Sequence, residues 1–334
     1  MLRELENRYG VSGLETEVSA YLQEELTPYC RRIWMDTMGN LHAEKQGVSE
    51  GKTVLLTAYM DEPGIIITQI TDDGYLKFDV VGRLEPSYLV SKRVNICGVE
   101  GIISLKAIHL VERKEREIPV KVQQLLVDIG AASREEAEKV VEIGEYGVVV
   151  SGFREFGEGF VKGRALAGRV SCAIAAEMLK QEVPCNLHVI FSVQREIGNR
   201  GMIPAGWGKK ADLTIVLDGA EAGLWENKEN KPEAGKGAVI FSKTGAGIPP
   251  QRGMGELLQI AYQQGLSVQI CTVEEKGQED ALRRNGTGQH CLCLGIPVRY
   301  PRSTAQVAKK TDIEALFTLV QSVIQHIAKQ EERK

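Results

Sequence analysis

The sequence has no long hydrophobic run and little excess charge of either sign. No stretch approaches the roughly 18 apolar residues of a membrane-spanning helix. The residues after Met1, Leu-Arg-Glu-Leu-Glu-Asn, lack the apolar core of a signal peptide. The formal net charge is −4, with Lys and Arg mostly scattered along the chain. Neither a membrane nor a nucleic acid is therefore expected as a partner.

The cysteines do not form the pattern of a disulfide framework. They are seven in number and show no C-x-x-C spacing, which fits a reducing compartment and predicts a cytoplasmic location. Cys291 and Cys293 leave two readings open. A C-x-C pair can ligate a metal, but in the apolar run CLCLGIPV the two-residue spacing favours packing on one face of a strand.

The hydrophobic pattern predicts an α/β protein with a β-rich middle. The 334 residues are 43% apolar and 26% charged, as in an ordinary globular chain. Thr53–Ala58, TVLLTA, has the composition of a buried parallel strand. Strand-like runs then follow closely at Ile65–Ile70, Leu76–Val81, Arg93–Ile96 and Gly101–Leu105. Helix and strand alternate again after 157, which predicts an α/β domain formed by 1–62 plus 158–334 and interrupted by a β insertion at 63–157.

Three carboxylates lie just beyond predicted strands, at Asp61, Glu196 and Asp218. In an α/β sheet such positions line the crevice where ligands bind. Each acid alone could be a helix N-cap or a loop residue. The three together favour a polar site. Arg195, beside Glu196 in FSVQREIGNRG, is unexpected there, because a site built from reactive carboxylates has no evident need for an arginine.

Eight segments in this order resemble the dinuclear-zinc aminopeptidases, which include the glutamyl and tetrahedral aminopeptidases. The segments are GVSGLETEV (10–18), DTMGNL (36–41), LLTAYMDEPG (55–64), VDIGAASREEA (127–137), KGRALAGR (162–169), FSVQREIGNRG (191–201), IVLDGA (215–220) and GIPVRYPRS (295–303). Some members of that family carry a cellulase or endoglucanase label. The resemblance implies a zinc-exopeptidase-like α/β/α sandwich whose inserted, β-barrel-like domain at 63–157 mediates dimerisation.

The same resemblance implies that most site residues have been replaced. The family's first histidine ligand corresponds to Tyr59, its bridging aspartate to Ala167 and its last histidine ligand to Arg302. Arg195 stands at the general-base position. The retained positions are the ligands Glu196 and Asp218, and also Asp61 and Glu62 beside the lost first ligand.

Ligand counting leads from these replacements to a non-catalytic function. A catalytic zinc takes three protein ligands plus water, so we expect no catalytic residue, no bound metal and no cofactor, although the family uses zinc or cobalt. The expected function is a pseudoenzyme, a binding or assembly subunit that forms a homo-oligomer, with itself or with an active relative. Its old crevice would take a peptide or another small ligand. The alternative is an active aminopeptidase or other hydrolase with an altered or weak metal site.

Two arginines stand where the family has a base and a metal ligand, so we expect them to neutralise the remaining carboxylates. Arg302 is predicted beside Glu196, and Arg195 beside Asp218 or at the crevice mouth. The other reading is that both point into solvent. The histidines lie outside the ligand positions and are expected to be structural or solvent-facing: His42, His109, His188, His290 and His326.

Overall fold

A computed structural model describes residues 1–48, 51–105, 118–224, 230–245, 247–274, 277–284 and 288–329. His109 lies outside these residues. The described helices are α1 (Leu2–Asn7), α2 (Thr16–Leu26), α3 (Arg134–Ala137), α4 (Leu166–Lys180), α5 (Met202–Ala205), α6 (Gln251–Gln263), α7 (Gln278–Arg283) and α8 (Lys310–Lys329). The described strands are β1 (Arg32–Met35), β2 (Leu41–Lys45), β3 (Thr53–Tyr59), β4 (Gly64–Ile70), β5 (Leu76–Val81), β6 (Arg93–Ile96), β7 (Val99–Leu105), β8 (Leu125–Asp128), β9 (Tyr146–Val149), β10 (Arg154–Phe156), β11 (Phe160–Gly163), β12 (Asn186–Ser192), β13 (Leu213–Glu221), β14 (Ala238–Thr244), β15 (Val268–Val273), β16 (Cys291–Val298) and β17 (Gln306–Lys309).

An eight-stranded sheet forms the centre of the α/β part, in the order β1-β2-β12-β3-β13-β16-β14-β15. Its middle strands are apolar on both faces because helices cover both sides. Leu56 in β3 packs in the core that includes α4 and α8, whereas its neighbour Leu55 packs against α5 and α7. This alternation places the sheet between two helical layers, and the predicted α/β/α sandwich is confirmed.

A closed barrel of six strands, in the order β4-β5-β8-β7-β6-β9, occupies the middle of the chain. All of its strands lie within 63–157, and it has a hydrophobic core of its own. Closure pairs every strand edge within the barrel. The predicted inserted barrel is therefore present, while its role in dimerisation stays a prediction.

Strands β10, β11 and β17 form a small three-stranded sheet. β10 follows the last barrel strand, and β17 comes from the C-terminal part. A backbone hydrogen bond from the amide of Glu85 to the carbonyl of Arg302, 3.1 Å long, also connects barrel and α/β part. These contacts bring barrel residues to the rim of the central sheet.

The structure agrees with what the sequence predicts for the cysteines and for membrane-spanning helices. Cys291 and Cys293 are both buried in one hydrophobic cluster of β16, which confirms packing on one strand face. All seven cysteines are free thiols. None of the described helices is long and apolar enough to cross a membrane.

Candidate active site

The candidate site forms where three parallel strands end side by side. β12 pairs in parallel with β3, and β3 with β13. Ser192 at the end of β12 is level with Tyr59, and Thr57 is level with Val216, two residues before Asp218. Because carboxyl ends of parallel strands meet at one edge, side chains from three distant segments converge there.

A cavity of about 330 Å³ lies at this edge. Its lining includes every position that the resemblance marked as a ligand or base, namely Tyr59, Ala167, Arg195, Glu196, Asp218 and Arg302. Asp61 and Glu62 are fully buried beneath it and do not line it. Residues separated by more than 240 positions in the sequence therefore form one crevice.

Arg195 is the central side chain of the crevice. Its Nη1 donates to Oε1 of Glu196 at 2.9 Å, and its Nη2 donates to both carboxylate oxygens of Asp218 at 3.1 and 2.9 Å. The guanidinium carbon lies 4.8 Å from the ring centroid of Tyr59, in a cation–π contact. Burial acts to lower the pKa of Arg195, but Asp218, Tyr59 and Glu196 outweigh it and raise that pKa well above its ordinary value. One permanent positive charge thus serves both retained carboxylates.

Glu196 is paired differently from the prediction. Its ion pairs run to Arg195 and, at 3.7 Å, to Nε of Arg83 from the barrel side. Arg302 lines the same cavity, but its backbone carbonyl is held by Glu85. The predicted Arg302–Glu196 salt bridge is therefore wrong, whereas the predicted approach of Arg195 to Asp218 is confirmed.

Tyr59 and Ala167 close the floor of the crevice. Burial, followed by the charge of Asp218, raises the pKa of Tyr59 well above its ordinary value, so this side chain is a neutral phenol. Ala167 is the second residue of α4, is buried, and lies against the backbone of Gly219, where an added Cβ would come within 2.6 Å of the alanine methyl. Neither side chain offers an anionic oxygen or a nitrogen to a ligand.

Asp61 holds the turn that carries Arg195. Its Oδ1 accepts the backbone amide of Arg195 at 2.9 Å, and its Oδ2 accepts the amide of Glu196 at 2.8 Å and the hydroxyl of Ser12 at 2.5 Å. Burial, followed by the charge of Glu196, raises the pKa of Asp61. Gln194, just before this turn, has a φ of +57°, a conformation that non-glycine residues adopt only where such contacts fix them.

Glu62 belongs to a buried ion network rather than to the crevice. Its carboxylate accepts from Arg164 at 2.5 and 3.1 Å, from Arg169 at 3.1 Å and from the amide of Gly10 at 2.9 Å. Burial opposes its ionisation, but the two arginines outweigh burial and lower the pKa of Glu62. The residue therefore ties the strand end to the chain start and to α4.

Sequence reasoning missed two residues that shape the site. Arg83 comes from the segment assigned to the insertion, and the only local signal is its place beside Gly82, where φ is +85°. Glu15 accepts the amide of Gln194 at 3.0 Å and so supports the same turn as Asp61. Burial, mainly, raises the pKa of Glu15 to about 7.

His42 and His188 lie away from the crevice and contact each other. Nδ1 of His42 is 3.1 Å from Nε2 of His188, and Trp34 stacks on His42 with ring centroids 4.9 Å apart. Nε2 of His42 is 3.3 Å from a carboxylate oxygen of Asp36. His290 is exposed. A structural role for the buried pair agrees with the expectation.

Comparison with known proteins gives one family over most of the chain. The family model described as M42 glutamyl aminopeptidase matches residues 39–319. FrvX of Escherichia coli (strain K12) is 32% identical over 339 residues, covering 97% of this chain and 94% of that protein. The crystal structure of a TET aminopeptidase from a marine sediment Thaumarchaeota archaeon superposes with a TM-score of 0.91 at 27% identity, covering 97% of this chain and 95% of that one. The Pyrococcus horikoshii TET1 peptidase, described as assembling into a tetrahedron or a large octahedral shell, has a TM-score of 0.86 at 25% identity, covering 97% and 98%.

These matches correct the expectation about cofactors. Aminopeptidases of the M42 family are metal-dependent and use zinc or cobalt, so the expectation of no cofactor was wrong. The side chains at the carried-over positions do not fit a two-metal ligand set, because both carboxylates already bind Arg195 and Ala167 has no donor. Across the described ranges, no three His, Cys, Asp or Glu side chains are grouped so as to hold a metal ion.

Fold, strand-end crevice and sequence matches agree over nearly the whole length of the chain. The family model alone spans well over half of the 334 residues. The TET aminopeptidase has the same fold over nearly the full length of both chains. This chain belongs to the M42 glutamyl aminopeptidase family.

Proposed function

We propose that this chain is a peptide-binding member of its family that does not hydrolyse the peptide it holds. The observation that carries the proposal is the position of Arg195, which contacts both retained carboxylates at 2.9 Å. A guanidinium stays protonated and cannot accept a proton from an attacking water. Carboxylates held in this fork are equally unsuited to act as the base, and loss of a general base alone lowers a rate by about 10²–10⁴.

The alternative is an active aminopeptidase, or another hydrolase, with an altered metal site. Family membership supports this alternative, because M42 aminopeptidases are metal-dependent enzymes. The two functions make opposite predictions about turnover when metal is supplied, so one assay separates them.

The assay measures hydrolysis of a panel of aminoacyl p-nitroanilides with zinc or cobalt supplied. The Pyrococcus horikoshii TET1 peptidase serves as the active control. We expect no turnover above buffer, while a short peptide binds in equilibrium titration. Saturable turnover that rises with protein concentration and disappears with a chelator would reject the proposal, and failure of every peptide to bind would reject it as well.

A variant that restores the family residues provides the matched test. It combines Tyr59→His, Ala167→Asp, Arg195→Glu and Arg302→His. Because each change returns a donor or base to a position that lines the crevice, the variant is expected to show metal-dependent hydrolysis above the parent chain. Equal rates for parent and variant would show that these positions do not decide activity.

We also propose that the chain forms a homo-oligomer in the cytoplasm, with the barrel segment 63–157 as the dimerisation module. A compact barrel with its own core supports a separate assembly role, as does the described assembly of the Pyrococcus horikoshii TET1 peptidase. The seven free thiols support a reducing compartment.

A further inference from the structure

A second pocket, about 550 Å³ in volume, lies between the barrel and the small sheet of β10, β11 and β17. Three cationic side chains line it, Lys92 from the barrel side and Arg154 and Lys162 from the sheet. The rest of the lining is aromatic, aliphatic or hydroxyl-bearing, and no described Asp or Glu takes part. We name this cavity the basic pocket.

The sheet register forces two of these cations together. Arg154 in β10 and Lys162 in β11 are directly opposite partners, so their side chains project from the same face. Like charges at directly opposite positions destabilise a sheet unless an anion lies between them. Nζ of Lys162 donates to the hydroxyl of Ser151 at 2.9 Å. Neither Arg154 nor Lys92 forms an ion pair with any carboxylate that the structure describes.

The surroundings of Lys162 lower the pKa of its ammonium group. Burial is the largest influence and lowers its pKa; Glu6 opposes this, while Arg154 and Lys92 lower the pKa further. A half-buried ammonium beside two other cations is costly, and a bound oxyanion relieves that cost through charge-assisted hydrogen bonds.

The basic pocket lies beside a cavity that in turn borders the crevice. Tyr88 and Tyr300 line both the basic pocket and a cavity of about 490 Å³ beside it. That intervening cavity also includes Pro301 and Arg302, which line the crevice. Tyr300 keeps a φ of +56°, so the wall between the cavities has a fixed, locally unfavourable backbone.

We propose that the basic pocket binds an oxyanion, and that its occupant is the C-terminal carboxylate of a short peptide whose amino end lies in the crevice. The identity of this occupant rests on the proposed peptide-binding function. The aromatic walls, Tyr88, Phe156 and Tyr300, suit an apolar last residue beside the carboxylate. Free phosphate offers the same oxyanion chemistry and is treated as a separate arm of the test.

The experiment compares calorimetric titrations of the full chain with Ala-Ala-Phe and with its C-terminal amide. A carboxylate held by two cations contributes charge-assisted hydrogen bonds, so the acid is expected to bind about tenfold more tightly than the amide. Arg154→Gln and Lys162→Gln should each remove most of this preference. Lys139→Gln, an exposed barrel lysine outside the pocket, is the matched control and should keep it.

The outcomes separate this inference from the proposed function. Equal binding of acid and amide overturns the carboxylate site and leaves peptide binding in place. Binding of neither peptide overturns both. Equal peptide affinities together with phosphate binding that Arg154→Gln abolishes would assign the pocket to a free oxyanion and overturn the peptide occupant. Circular dichroism of each variant checks that the fold is retained.

Discussion

Replacing Arg195 by glutamine removes the one cation that contacts both crevice carboxylates. The side chains of Glu196 and Asp218 are only 10% and 7% exposed, so water cannot fully replace the lost partner. Glutamine keeps most of the volume and can donate a hydrogen bond, but it carries no charge. The change therefore tests the charge of Arg195 more than its packing.

The expected loss of stability in Arg195→Gln depends on the partners that Glu196 and Asp218 keep. Glu196 keeps Arg83 at 3.7 Å. Among the described residues Asp218 has no other ion pair, and it keeps only the backbone amide of Gly219 at 2.7 Å. Removing one partner of a buried ion pair costs about 3–5 kcal/mol, and we expect the free energy of unfolding of Arg195→Gln to fall by that amount at pH 8. The penalty should shrink towards pH 5, because a carboxylate without its counter-charge protonates more easily.

Urea unfolding followed by circular dichroism measures the effect. Arg252→Gln is the matched control, since Arg252 also lies 2.9 Å from a glutamate oxygen, that of Glu256, but is 86% exposed. An exposed pair of this kind contributes little to stability. The control should therefore unfold at nearly the parent's urea concentration.

A rescue variant completes the test. Arg195→Gln combined with Asp218→Asn leaves no uncompensated charge on Asp218, and should recover most of the lost stability. A loss below about 1 kcal/mol in the single variant would refute the reasoning, because that is the range of solvent-exposed pairs. A double variant no more stable than the single one would show that packing, not charge, is what Arg195 supplies.

Three further predictions concern other parts of the molecule. Glu62→Gln removes the carboxylate to which the two buried arginines donate, and should lower the free energy of unfolding by about 3–5 kcal/mol in urea titration; an unfolding free energy equal to that of the parent would contradict the role of this ion network. The pKa of His188 is lowered from 6.5 to about 3, first by burial and then by Lys209 and His42, so stability is fully present above pH 6.5 and should fall by about 2 kcal/mol on going to pH 5; His188→Gln should flatten this slope and the exposed His290→Gln should not, and equal slopes would reject the assignment. Sedimentation velocity should show an oligomer at micromolar concentration and a monomer once 63–157 is replaced by a short linker, and a monomeric intact chain would reject assembly.

The hydrophobic pattern predicted most of the central sheet. TVLLTA and CLCLGIPV are short, continuous apolar runs, and both are strands buried on two faces. β14 (Ala238–Thr244) was missed, although AVIF has the same composition, because it stands among glycines and charged residues with no clear boundary signal. β17 was missed because a four-residue edge segment has too few positions for a period.

Strand ends and the family resemblance located the candidate site, but of its ion pairs they predicted only that of Arg195 with Asp218. The sequence alone determined that Tyr59, Ala167, Arg195 and Arg302 replace the residue types of the family, because identity at a motif position needs no coordinates. Only the tertiary structure decided that one guanidinium serves both carboxylates, and that Arg83 reaches Glu196 from the barrel. Periodicity and motifs report on neighbours along the chain, whereas an ion pair depends on where side chains from separate elements end in space, and that is fixed only when the sheet, the barrel and their connecting loops pack together.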